Sequence, residues 1–263
     1  MGKAGRVAVV TGATGSMGAA VARRLAATGV AIACLGRRTD AGEAVAAGIR
    51  ADGGQARFLR TDLTDEAQVR SAIEQTVSEF GRIDVLVSVA AGTDMLRAGL
   101  EARVEQTSAE VLERMLLVNL YGPFFLAKYG LPHLRSAGGG ALVAISSISA
   151  HRMNPAMPAY AASKAALEGL VRQIAADYAD DGIRANSIVL GSVSSPETAA
   201  VLATSAGAGR GNRMIAEPGS PADVADLVEF LVSPRSRYLT AAAIPLDGGA
   251  LAAYPAPVRL GSS

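Results

Sequence analysis

Apolar runs recur along this chain near residues 6–11, 30–35, 55–60, 84–90, 140–146, 183–190 and 241–246, and most are continuous rather than alternating. A run that is apolar on consecutive positions predicts a strand buried on both faces. Between the runs, stretches near 16–28, 40–52, 65–80, 108–136, 158–180 and 221–232 carry apolar residues at helical spacing. Strands that alternate with helices predict an α/β architecture, a parallel sheet of about seven strands covered on both sides. Asp65, Ser108 and Ser220 stand where helices begin and suit N-caps, and Gly81 and Gly182 stand where helices end. Two segments break the rhythm, 91–107 and 192–219, and each follows the C-terminal end of a strand. Loops of that length in a compact domain are usually functional or disordered, and open α/β sheets bind ligands at those strand ends.

Length and composition narrow the picture. The 263 residues predict one domain, 1–263, and a 50 % hydrophobic content allows a large core. A formal net charge of +1 with both signs scattered argues against nucleic acid or a membrane surface as partner. Cys34 is the sole cysteine and falls in the second strand run, which favours core packing and a reducing cytoplasm. The first strand begins too early for a signal peptide, Arg6 stands where a myristoylation motif needs Ser or Thr, and no apolar stretch reaches membrane-span length. A cytoplasmic location is therefore expected. The two histidines, His133 and His151, form no metal-ligand cluster, so no metal is expected.

Two motifs carry candidate chemistry. The first strand run leads into Gly12-Ala-Thr-Gly15-Ser-Met-Gly18 and then a helical pattern. Strand, glycine-rich turn and helix together make a dinucleotide fingerprint, in which glycines admit a pyrophosphate and the helix N-terminus offers free N–H groups. The fold expected is a Rossmann-like doubly wound sheet. The second motif is Tyr160-Ala-Ala-Ser-Lys164, with Ser147 thirteen residues upstream. Tyr160 and Lys164 are one helical turn apart and share a face. A neighbouring ammonium is expected to lower the phenol from its ordinary pKa of about 10, making it a group that exchanges a proton with a carbonyl or hydroxyl oxygen.

With these motifs in order, the chain resembles the short-chain dehydrogenase/reductase family, single-domain ketoreductase-like type, from Val7 to Gly249. Further matches are Asp62-Leu63, Val118-Asn119-Leu120-Tyr121-Gly122, Gly140 to Ser147, Arg184 to Gly191 and Leu246-Asp-Gly-Gly249. The resemblance implies that Tyr160 gives or takes the proton, and that Lys164 lowers its pKa and holds the nicotinamide ribose. It implies that Ser147 fixes the reacting oxygen and that Asn119 holds a water leading to solvent. Ser146 and Ser149 are neighbouring candidates, but the family's thirteen-residue spacing selects Ser147. The implied cofactor set is Gly12, Thr14, Gly15, Ser16, Met17, Gly18, Arg37, Arg38, Asp62, Leu63, Ala90, Gly92, Gly191, Val193 and Ser195, with Tyr160 and Lys164. The 192–219 segment then reads as a substrate lid, with a disordered insertion as the alternative.

Cofactor choice turns on the residues just after the second strand. An acidic residue there favours NAD; this chain has Gly36-Arg37-Arg38, and a guanidinium takes a 2′-phosphate bidentately, so NADP(H) is expected. Arg37 is the expected anchor, and Arg38 the one that opens the next helix.

Departures from the family pattern surround the cofactor. Ser16 stands at the usual middle glycine; Ser88-Val89-Ala90-Ala91 replaces Asn-Asn-Ala-Gly, whose asparagines brace the sheet end; Leu190 replaces a proline; Ser195 replaces a threonine; Ala241 replaces a glycine. Met95, Leu96, 151–157 and 192–215 are expected around the substrate. Arg97, Arg152, Arg210 and Arg213 are candidates for an anionic group, each set against a solvated loop arginine. For His151 the expectation is a structural hydrogen bond. The reading is an NADP(H)-dependent oxidoreductase that interconverts a small or medium ketone and a secondary alcohol. The alternatives are a cofactor-assisted non-redox enzyme of epimerase or dehydratase type, and a catalytically weak NADP(H)-binding regulatory protein. Apolar residues such as Leu126, Leu167, Leu170 and Val171 on the helices of Asn119 and Tyr160 fit a homo-oligomer, by resemblance a dimer or tetramer.

Overall fold

Val7 to Val10 are fully buried, as a strand with helices on both faces requires. The structure, a computed structural model, describes residues 5–195, 198 and 213–253. Its sheet consists of β1 (Val7–Thr11), β2 (Ala31–Gly36), β3 (Ala56–Arg60), β4 (Val85–Ser88), β5 (Gly140–Ser147), β6 (Ile183–Leu190) and β7 (Ala243–Leu246). They lie in the order β3-β2-β1-β4-β5-β6-β7, every neighbouring pair parallel. The chain runs outward from β1 to β3, then returns to place β4 on the other side of β1. That reversal opens a crevice beyond the C-terminal ends of β1 and β4.

The helices are α1 (Ser16–Ala27), α2 (Thr39–Ala51), α3 (Glu66–Phe80), α4 (Thr93–Arg97), α5 (Ala109–Leu116), α6 (Gly122–Ser136), α7 (Pro158–Asp177) and α8 (Pro221–Val232). Alternate residues of β1 divide between two cores, as the period of a strand dictates. Ala8 and Val10 pack with Val21 and Leu25 of α1, Ile49 of α2 and Val228 of α8. Val9 packs with Ile73 of α3, Leu126 of α6 and Leu167 of α7. Cys34 is buried in the first core, and burial pushes its thiol up to about 12. Among the described residues no helix is long and apolar enough to cross a membrane.

Asp65, Ser108 and Ser220 cap α3, α5 and α8 through their side chains, and Gly81 ends α3 in the left-handed conformation, φ 83°. Several boundaries differ from the sequence reading. The stretch 108–136 is not one helix: a π turn over Leu117–Tyr121 separates α5 from α6. The strand read over 84–90 stops at Ser88, because the next residues turn aside to meet β1. α7 ends at Asp177, so Gly182 (φ 70°) belongs to the following turn and does not cap the helix. The 91–107 segment folds into α4 and a 3-10 turn over Val104–Gln106.

The last strand starts at Ala243 and not at 241, because Ala241 is left-handed, φ 58°. An alanine there is strained by roughly 1–2 kcal/mol, the contact of its Cβ with the following carbonyl. Ala241→Gly relieves that strain but frees the unfolded chain, which takes back about 0.4–1 kcal/mol. The expected net is a stabilisation of about 1 kcal/mol, read as a rise of about 2–4 °C in Tm. An unchanged or lower Tm would contradict this account of position 241.

Candidate active site

The floor of the crevice is the turn between β1 and α1. Gly12 adopts φ 67°, and a Cβ there would lie 2.8 Å from the Ala90 nitrogen. At Gly18 a Cβ would come within 2.2 Å of the Gly12 carbonyl oxygen, whereas at Gly15 the nearest atom is 3.6 Å away. Packing therefore demands the first and third glycines of the turn, not the second. Gly15 is the N-cap of α1 and offers no side chain to cap it, so the positive end of the helix dipole faces this turn.

Around this turn lies a cleft of about 410 Å³. Gly12, Thr14, Gly15, Ser16, Met17 and Gly18 form one wall; Arg37 and Arg38 follow from the end of β2; Asp62 and Leu63 from the end of β3; Ala90 from the end of β4. Ser195 closes it from the far side, joined by Thr198, which the sequence reading did not include. Gly92, Gly191 and Val193 do not line this cleft. Arg38 is not merely a helix opener, because its Nη2 donates to the Thr14 carbonyl at 2.6 Å and so borders the glycine turn. Arg37 is largely exposed, with Nη2 3.9 Å from an Asp94 carboxylate oxygen. A helix N-terminus without a side-chain cap, with two guanidiniums at the rim, suits a ligand of dinucleotide size bearing several phosphates.

The sheet end that lacks the usual asparagines is braced by other groups. Thr11 Oγ1 accepts from the Val89 and Ala90 nitrogens at 3.2 and 3.5 Å, and Asn119 Oδ1 accepts from the Gly92 nitrogen at 2.8 Å. Asn119 Nδ2 donates to Ser163 Oγ at 2.9 Å, and Ser163 donates onward to the Tyr160 carbonyl at 2.8 Å. Both ends of the Asn119 amide are thus engaged in tying the 88–92 segment to α7. The π turn that carries Asn119 turns it inward, while its neighbour Val118 faces the cleft. Ser163 and Thr11 were given no role in the sequence reading, where one is a member of the Tyr160–Lys164 motif and the other the end of the first strand run.

The Ser147 hydroxyl stands by the Tyr160 phenol as its side-chain partner. The Tyr160 ring packs with Met95, Met115 and Ala159 in a small apolar cluster. Burial pushes the Tyr160 phenol above its ordinary value; the Ser147 bond opposes this, and the negative charge of Glu101 adds to it. This corrects the expectation that Lys164 lowers it. Lys164 is itself fully buried, its Nζ donates to the Ile145 carbonyl at 2.8 Å, and it lies 5.9 Å from the Tyr160 ring centre. Burial draws its ammonium down to about 8, with the Glu168 charge opposing. Neither group lines the dinucleotide-sized cleft, nor do Ser147 and Asn119.

One turn beyond Lys164, the buried Glu168 accepts from Ser146 Oγ at 2.6 Å and meets His151 Nε2 at 3.0 Å. His151 thus has the structural role expected of it. Arg152 Nη1 donates to the Ala250 carbonyl at 2.9 Å and Arg213 Nη2 to Ala216 at 3.0 Å, while Arg213 Nε is buried without a partner. Arg97 lines the cleft, and Arg210 lies outside the described residues. Of the 192–219 segment only the base and the stretch from 213 are described. Val193 bridges Gly219, Ser194 donates to the Gly219 carbonyl at 2.8 Å, and Gly219 donates to Ser192 at 3.0 Å.

Comparison with known proteins agrees with this geometry. A family model described as enoyl-(acyl carrier protein) reductase matches residues 12–250. Cis-4-hydroxycyclohexanecarboxylate dehydrogenase of Sinomonas cyclohexanicum is 33 % identical over 244 residues, 93 % of this chain and 96 % of that protein. The 2,5-dichloro-2,5-cyclohexadiene-1,4-diol dehydrogenase LinX of Sphingobium indicum is 32 % identical, over 94 % of this chain and 96 % of its own. The crystal structure of a 3-ketoacyl-ACP reductase from Sinorhizobium meliloti superposes with a TM-score of 0.84 at 34 % identity, covering 94 % of this chain and 99 % of that one.

Proposed function

Because the chain belongs to the short-chain dehydrogenase/reductase family, we propose that it is an NADP(H)-dependent oxidoreductase interconverting a ketone and a secondary alcohol, with Tyr160 as general acid and base. The observation that carries this reading is the buried Tyr160–Ser147 hydroxyl pair with Lys164 one turn along the same helix. A bound nicotinamide supplies the hydride. As a carbonyl oxygen gains negative charge, Ser147 donates to it and Tyr160 delivers the proton; in the reverse direction Tyr160 takes the proton from the alcohol. A phenol pushed up by burial is protonated at neutral pH, which suits reduction. Met95, Met115 and Ala159 form a dry wall at Tyr160 and exclude water from that transfer. The hydroxyl pair, kept intact, weighs against the purely regulatory reading.

The relatives' names include dehydrogenases of a hydroxycyclohexanecarboxylate and a cyclohexadienediol, so a small ring or short-chain ketone is the substrate class we favour. Arg152 or Arg213 would stand near an anionic end of such a substrate. The 192–219 segment would act as the lid, and a cytoplasmic homo-oligomer completes the reading.

The NADP(H) preference rests on Arg37 and Arg38 at the cleft rim. Fluorescence titration is expected to show tighter binding of NADPH than of NADH. A charge-assisted hydrogen bond is worth about 1.5–3 kcal/mol, so Arg37→Ser should weaken NADPH about ten- to a hundredfold and leave NADH nearly unchanged. Equal loss for both cofactors, or tighter NADH binding by the wild type, would overturn the assignment.

A further inference from the structure

α7 lacks a cap of its own. Met157 stands at its N-cap with no side-chain acceptor, and the helix opens with Pro158. The caps of α3, α5 and α8 come from the residue just before each helix. That of α7 comes from 58 residues upstream: Glu101 accepts from the Ala159 nitrogen at 2.9 Å, and from the Tyr160 nitrogen at 3.0 and 3.2 Å through its two oxygens. The loop that delivers Glu101 is itself closed, because Thr107 Oγ1 accepts from the Ala102 nitrogen at 3.1 Å and donates to its carbonyl at 3.0 Å.

We propose that Glu101 is a positioning residue for the reaction at Tyr160: it fixes the start of the helix at the tyrosine's own N–H and brings a carboxylate to the residue whose phenol reacts. The inference rests on the reading of Tyr160 as the proton-transfer group. A carboxylate in this place opposes formation of tyrosinate and so favours giving a proton over taking one. Of the groups around the phenol, Lys164 opposes that charge, with its Nζ 5.9 Å from the ring centre, and the others are neutral. Met95 and Met115, from α4 and α5, are neutral; Ser147, from the end of β5, is a neutral hydroxyl. Lys164, on the same helix, gives its ammonium to the Ile145 carbonyl and has Glu168 as its own counter-charge. Glu101 is also the one charge that raises the Tyr160 phenol, in addition to burial.

The test is Glu101→Gln, which keeps the shape and removes the charge. Tyrosinate absorbance is titrated in the wild type and the variant, each minus its Tyr160→Phe counterpart, so that the signal belongs to Tyr160. Removing the charge is expected to move the ionisation down by about one pH unit. The rising limb of kcat/KM for alcohol oxidation should move down with it, and Glu101→Asp should restore the limb. A cap without electrostatic influence would lower kcat in Glu101→Gln and leave both titrations where they were, which overturns the proposal. Should Tyr160→Phe keep full activity, the reading of the reaction falls, while the absorbance titration still decides the role of Glu101. Should Glu101→Gln fail to fold, the wild-type titration decides: Tyr160 ionising below the ordinary value of about 10 overturns the proposal.

Discussion

Tyr160→Phe is expected to lower kcat for ketone reduction about a thousandfold while cofactor affinity and fold are retained. The ring is held by Met95, Met115 and Ala159, and phenylalanine keeps every one of those contacts. The hydroxyl's partner is Ser147, which also accepts from the Ser149 nitrogen at 3.2 Å, so removing the hydroxyl leaves that serine partnered. The cost to stability should be about 1 kcal/mol or less. A proton donor in the transition state is worth about a hundred- to ten-thousandfold. Steady-state rates together with an NADPH titration separate the two effects. A variant that keeps more than a tenth of the wild-type kcat would remove Tyr160 from the chemistry.

Lys164→Met is expected to abolish most of the activity and yet make the free protein more stable. Lys164 is fully buried, and folding draws its pKa from 10.5 to about 8. At pH 7 the native protein holds this ammonium in a setting that disfavours it, a penalty of roughly 3 kcal/mol. Methionine fills the same volume without charge, and the lost bond to Ile145 takes back about 1 kcal/mol. The net gain should be about 2 kcal/mol at neutral pH. Between pH 8 and 10.5 the unfolded chain still binds the proton that the native protein has released, so wild-type stability rises with pH across that window. The advantage of the methionine variant must therefore shrink over the same range, as urea unfolding at pH 7 and pH 10 would read. A variant less stable at pH 7, or an advantage independent of pH, would show that Lys164 is not held at such a cost. An ammonium kept in place against stability is one sign of a site shaped for chemistry.

The sheet and its covering helices were readable because continuous apolar runs and helical periodicity are local signals. Asp65, Ser108 and Ser220 were readable as caps for the same reason: each acts on its own helix. The π turn at Asn119 was not, because Leu117 to Tyr121 carries no breaking residue and its widening serves a tertiary contact with Gly92 and Ser163. Spacing placed Tyr160 and Lys164 on one face but not the direction of the phenol's shift, which depends on burial and on a charge 59 residues away. Ala241 shows the converse. Its substitution for a glycine was visible in the chain, and the left-handed backbone explains why glycine is the easier residue there. Thr11 and Glu101 act through long-range contacts that no periodicity announces.

The bridge between Val193 and Gly219 has a consequence for how this protein changes over generations. Length added between these two anchors costs little more than loop closure, about 0.6 kcal/mol for each doubling. Insertions, deletions or wholesale exchange between these two residues leave the register of β6 and β7 and the glycine turn untouched. Substrate range can therefore drift quickly through this segment, provided that a transplanted one restores the cleft contacts of Ser195 and Thr198 and the bonds of Met214 and Ile215 to the Gly248 carbonyl.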